Sequence, residues 1–175
     1  MSKPLVQYTW SDLSYGLGRN DFPAALANAI LEHQISGTEL AKGIVATWVT
    51  AEWPAQQIEI ESWSIIFGMV IEHDEFLTDD GKVLKYDELP ESITLYRGAI
   101  PEFAFGMSWT TDRTQADWFA HRLEPNRSGL VGKVYTIPIP REFVIGRFSE
   151  RREQEYVVDV TRLNGEDEMT EVKRR

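Results

Sequence analysis

The apolar pattern of this chain changes period once, at Ile93. Before that point apolar residues recur every three or four positions, as they do in amphipathic helices. Asp21-Phe22-Pro23 opens one such stretch, with Asp21 as cap, Leu26, Ala29, Ile30 and Ile35 as its apolar side, and Gly37 as its stop. Thr38 starts a second, where Leu40, Ile44, Val45 and Trp48 keep helical step. Beyond the break at Trp53-Pro54 a third carries Ile58, Ile65, Ile66, Met69 and Val70. A short helix is also expected near Trp10 to Leu17 within an irregular N-terminal arm. From Ile93 the apolar runs shorten and are bounded by Gly, Pro and polar residues, which is strand punctuation. Strands are expected over 93–97, 106–110, 131–138, 143–148 and 155–160, with one helix over 113–123 capped by Asp112. Helices grouped first and strands grouped afterwards select the α+β class: N-terminal helices packed on a small, mostly antiparallel sheet.

A length of 175 residues suits a single domain. Its expected parts are a mainly helical 1–90, a β-rich 91–163 and a polar tail over 164–175. The chain has no cysteine, which removes disulfides, thiol nucleophiles and cysteine-based zinc sites together. His33, His73 and His121 are scattered, so no metal site is expected. His73-Asp74-Glu75 reads as a solvated helix end, and Thr78-Asp79-Asp80-Gly81-Lys82 as a turn too short for a calcium loop. No apolar run approaches membrane-spanning length and the N-terminus lacks a signal-peptide core, so a cytoplasmic protein with no membrane partner is expected.

The formal net charge of −10 disfavours nucleic acid as a partner, because sequence-independent binding needs a basic footprint. Arg141, Arg147, Arg151 and Arg152 are the local exception. They fit either a solvated basic loop or a loop facing an anionic ligand.

Three short pieces carry the chemistry. Ile93-Thr94-Leu95-Tyr96-Arg97-Gly98 is a strand ending in an arginine and a glycine. Gly106-Met107-Ser108-Trp109-Thr110 places a serine on a second strand. It lacks the second glycine of a nucleophile elbow, so Ser108 is read as an orienting hydroxyl. Glu153-Gln154-Glu155 sets two carboxylates one residue apart at the start of a third strand, where alternation turns both to one face and Gln154 to the other. Trp109 alternates to the opposite sheet face and reads as core, as do Trp118 and Phe119.

The order arginine, serine, Glu-x-Glu, each at a strand edge, resembles the R-S-E class of mono-ADP-ribosyltransferases, found among bacterial toxins and phage proteins. The resemblance covers about the last 80 residues, with Ser108-Trp109-Thr110 standing where the family has Ser-Thr-Ser. It implies an ADP-ribosyltransferase-like fold and NAD as substrate, with no metal. Arg97 then contacts the NAD phosphates, for which a guanidinium offers planar, bidentate recognition. Gly98 lets the backbone approach the ligand, and Tyr96, Ser108 and Thr110 complete the NAD-binding set. Glu155 holds the ribose while nicotinamide leaves, stabilising an oxocarbenium-like centre. Glu153 serves the acceptor. Phe148, seven residues before Glu155, falls where the family carries an aromatic for acceptor recognition, and equally suits a core position ending a strand. The implied activity is transfer of ADP-ribose to a macromolecular acceptor, with a host-protein arginine favoured. An NAD glycohydrolase, and an inactive module of the same fold that binds NAD or a protein, are the alternatives.

Overall fold

A computed structural model of the chain describes residues 6–122, 129, 131–149, 154–163 and 169–172. The chain divides into two compact units, Met1–Leu84 and Lys85–Arg175. The division falls close to the expected change from helical to β-rich sequence.

The first unit holds helices α1 (Trp10–Ser14), α2 (Phe22–Leu31), α3 (Gly37–Thr50), α4 (Pro54–Gln57) and α5 (Ile60–Gly68). Aromatic rings pin them together. Trp48 of α3 meets Trp63 and Phe67 of α5 edge-on, at centroid distances of 5.1 and 5.7 Å. The Trp63 indole N–H donates to the Pro54 carbonyl at 3.0 Å, so the ring is buried without an orphaned donor.

This packing corrects the expected face of the third helical stretch. Trp63, Ile66 and Phe67 are buried, whereas Ile65 and Met69 are exposed. Trp63 and Phe67 bring larger apolar surfaces to Trp48 than the aliphatic set does, and they decide the rotation. Helix α2 also ends earlier than expected, at Leu31, and Gly37 is the first residue of α3. His33, in the left-handed region at φ 53°, turns the chain between them. The Asp21 carboxylate accepts from the Gly18 amide at 3.0 Å and does not cap α2.

After α5 come two short strands that the sequence reading missed, β1 (Glu75–Thr78) and β2 (Val83–Lys85). Phe76 and Leu77 are fully buried in β1, so the stretch read as a helix end is the entry to a strand. The turn joining the strands is where expected, with Asp80 and Gly81 at φ 61° and 72°.

The second unit is built on strands β3 (Ser92–Ala99), β4 (Ser108–Thr110), β5 (Lys133–Pro140), β6 (Val144–Phe148), β7 (Glu155–Val158) and β8 (Thr170–Glu171), with helix α6 (Arg113–His121) after β4. The strands lie in the order β6-β7-β4-β3-β5-β8. The pairs β3–β4, β3–β5, β4–β7, β5–β8 and β6–β7 are antiparallel. The α+β class and the mostly antiparallel sheet are therefore as expected.

The β3–β5 ladder sets Ile93 against Ile139 and Leu95 against Ile137, four buried side chains on one face. Helix α6 covers the other face, its Ala116 and Ala120 packing with Val134 of β5. A Cβ on Gly98 would lie 1.8 Å from the Ala116 carbonyl oxygen, and one on Gly132 would lie 1.7 Å from that of Ala120. Strand and helix therefore meet backbone to backbone, and only glycine fits at these two positions. Trp118 is 58% exposed on the outer side of α6, against the core position expected of it, because Ala116 and Ala120 take the inner side. Among the described residues no helix is long and apolar enough to cross a membrane.

Candidate functional site

Strands β3 and β4 are paired at Tyr96 and Thr110 and then separate. The intervening segment runs through a 3-10 turn at Pro101–Phe103 and returns at Ser108. The Arg97 side chain fills the opening. Its Nη1 donates to the Ser108 carbonyl at 2.7 Å, while Nε and Nη2 donate to the Phe103 carbonyl at 3.2 and 3.0 Å. The guanidinium rests on Gly106, where a Cβ would lie 2.4 Å from Nη2 and 2.7 Å from Cζ. Burial pulls the Arg97 pKa down to about 10, and the nearby Glu155 charge opposes that shift. The group stays cationic at neutral pH.

Ser108 begins β4 and Glu155 begins β7. Their strands pair with Ser108 opposite Val157 and Thr110 opposite Glu155. Alternation therefore puts Ser108, Thr110, Glu155 and Val157 on one sheet face. Across that face the Ser108 hydroxyl donates to Glu155 Oε1 at 2.5 Å. This is the length of a hydroxyl bonded to a charged acceptor. Arg97 is one residue out of phase with this set and reaches it through the opening between the strands. Ser108 is thus the joint of the cluster: its carbonyl meets Arg97 and its hydroxyl meets Glu155.

The other residues expected at NAD have structural tasks. Tyr96 packs against Ala116, Ala120 and Val134. The side of Gly98 that a Cβ would occupy is taken by the α6 backbone, so its openness serves the helix and not a ligand. The Thr110 hydroxyl donates to Gln115 Oε1 and accepts from the Asp112 amide, each at 3.0 Å, and so fixes the β4–α6 turn. Tyr96, Gly98 and Thr110 share one parity with Ser108 and Glu155 across the paired strands, the sheet face on which α6 packs. Asp112 caps α6 as expected, its Oδ1 accepting from the Thr114 and Gln115 amides at 2.8 and 3.4 Å.

Phe148 pairs with Glu155 across β6 and β7 but is only 1% exposed, so it takes the core position and not an acceptor-facing one. Trp109 is in the core at 2% exposure, its indole N–H donating to the Gly106 carbonyl at 2.6 Å. Gln154 Oε1 accepts from the Thr111 hydroxyl at 3.0 Å, tying the start of β7 to the end of β4. Of the four arginines singled out, Arg141 donates to the Tyr86 and Leu89 carbonyls at 3.3 and 3.2 Å and braces a connector. Arg147 lies in β6 opposite Tyr156. Glu153, Arg151 and Arg152 lie outside the described residues.

Two participants escaped the sequence reading. Gly106 stood beside Ser108 in plain view, but its role depends on where the Arg97 side chain travels. The Phe103 carbonyl has no sequence signature at all, because every residue carries one. Elsewhere, Glu72, Asp74 and Glu75 bring carboxylate oxygens within 4.8 Å of one another at the entry to β1, a partly exposed acidic turn. No family model, no curated protein and no solved structure matches the chain.

Proposed function

We propose that this chain is a mono-ADP-ribosyltransferase that takes ADP-ribose from NAD to a macromolecular acceptor and releases nicotinamide. The observation that carries the reading is the 2.5 Å bond from Ser108 to Glu155, with Arg97 bonded to the same serine's carbonyl. A carboxylate held by a hydroxyl at a strand edge, beside a fixed cation, suits a sugar that becomes cationic as its leaving group departs. The α+β class and the antiparallel sheet are compatible with the ADP-ribosyltransferase-like fold that the resemblance implies.

In this reading Glu155 accepts hydrogen bonds from the nicotinamide-ribose hydroxyls. The bond from ribose C1′ to the pyridine nitrogen breaks, and its electron pair leaves with neutral nicotinamide. The acceptor nucleophile then bonds to C1′ and gives up a proton, for which Glu153 is the proposed base. Ser108 keeps the Glu155 carboxylate pointed at the ribose throughout. Arg97 brings positive charge to the same place, where the resemblance gives it the NAD pyrophosphate. A cytoplasmic host protein, modified on arginine, is the acceptor proposed.

The test is incubation with NAD labelled in its ADP-ribose part, in the presence of cell extract. Label on a macromolecule together with nicotinamide release is the expected result. Free ADP-ribose alone would assign the site to NAD hydrolysis, and intact NAD bound with measurable affinity would assign it to binding without turnover. Glu153→Gln is expected to lose transfer while keeping part of the nicotinamide release, because water can still capture the sugar cation.

A further inference from the structure

The bonding of Arg97 departs from that of a residue whose first task is to hold a ligand. Nε and Nη2 converge on the Phe103 carbonyl, and Nη1 takes the carbonyl of Ser108. The guanidinium lies against Gly106, where a Cβ would be 2.4 Å from Nη2 and 2.7 Å from Cζ and would displace it. The Gly106 carbonyl in turn holds the buried Trp109 indole at 2.6 Å. The grip closes where the two strands have ceased to pair, so Arg97 supplies hydrogen bonds where the β3–β4 ladder supplies none. Its far end is the main chain of Ser108, whose hydroxyl holds Glu155.

We infer that Arg97 and Gly106 form a positioning clamp. The guanidinium, seated on Gly106 and bonded to the Phe103 and Ser108 carbonyls, fixes the segment between β3 and β4 and thereby the serine that aims Glu155. This rests on the transferase reading for its catalytic consequence, and it changes what Arg97 contributes: its main effect reaches the reaction through Ser108 and not through the NAD phosphates. Lysine cannot replace it, since a single ammonium lacks the planar fork that spans two carbonyls. Gly106 becomes a positioning residue that touches no substrate.

The test compares wild type, Arg97→Lys and Gly106→Ala by two measurements. The first is nicotinamide release from NAD, resolved into kcat and KM. A positioning role predicts that both variants lose kcat by ~10-fold or more with KM changed less than ~3-fold. If instead Arg97→Lys keeps kcat and raises KM ~10-fold, or Gly106→Ala retains full kcat, the inference is overturned. The second is amide hydrogen exchange over residues 100–108, which needs no activity. Both variants should exchange faster there while the β3–β5 ladder stays protected. Unchanged exchange over 100–108 in both overturns the clamp whatever the activity. A wild type that releases no nicotinamide defeats the transferase reading and with it the catalytic consequence. Exchange then decides the clamp alone.

Discussion

At the scale of single residues, Ser108 and Glu155 stand 47 positions apart and meet through one hydrogen bond. Replacing Glu155 by Gln preserves shape and keeps an oxygen for the Ser108 hydroxyl, so the melting temperature should barely move. Nicotinamide release should fall by ~10²–10³, the usual effect of removing one preorganised electrostatic contact. Comparable turnover in the variant would take Glu155 out of the mechanism. Ser108→Ala is expected to be milder. It removes one bond to a charged acceptor, which corresponds to roughly 10- to 100-fold in rate. The two substitutions in one chain should then cost little more than Glu155→Gln alone, because Ser108 acts through Glu155. Independent, additive losses in that double variant would assign Ser108 another task.

At the scale of elements, the seat of α6 on the sheet is set by two glycines and a cap. Gly98→Ala places a methyl 1.8 Å from the Ala116 carbonyl oxygen, a backbone atom that cannot swing aside. The helix has to lift, and the loss should lie at the upper end of the ~1–3 kcal/mol typical of overpacking. Denaturant unfolding reads this directly, and a variant as stable as wild type would mean that α6 does not rest on β3 as described. Asp112→Ala removes the acceptor for two amides of the first turn of α6 and should cost about 1 kcal/mol. Because Thr110 ties the same turn to β4, loosening it should be felt at Ser108 before it is felt at the far end of the helix.

At the scale of the whole molecule, folding stability should carry a mark of pH from Glu39. Its carboxylate accepts from Lys42 Nζ at 2.6 Å and from the Trp10 amide at 2.9 Å, and these bonds, that to Lys42 foremost, lower its pKa below 4.5. A carboxyl with a lowered folded pKa contributes stability that is present above the unfolded value and lost as pH falls through the folded one. Glu39→Gln should therefore be less stable than wild type at neutral pH, and the gap should close at acid pH, below the lowered folded value. Urea titrations at the two pH values measure this. A gap of equal size at both would mean that the ionised form of Glu39 is not what ties α1 to α3.

Local chemistry and side-chain period settled a good part of this in advance. The strands around 93–97, 131–138 and 143–148, the helix after Asp112 and the turn at Asp80-Gly81 were legible, because each is fixed by neighbours in sequence. So was the α+β class, since the switch of period at Ile93 needs no knowledge of packing. Arg97, Ser108 and Glu155 could be picked out as residue types at strand edges, with Ser108 as an orienting hydroxyl, but the route from Arg97 through the Ser108 carbonyl could not. The joint at Ser108 exists because β4 pairs with β7, a non-local choice made by register. In the fold Tyr96, Gly98 and Thr110 meet α6 and Phe148 is buried opposite Glu155, placements that their own sequence neighbours do not specify. The rotation of α5 follows from Trp63 and Phe67 meeting Trp48, a partner that lies outside residues 58–70. Sequence determined most of the elements, though not β1 and β2, and which polar residue types stand at the strand edges. Tertiary structure alone decided which of those groups face one another, because a pleated strand shifted by one residue sends every side chain to the other face.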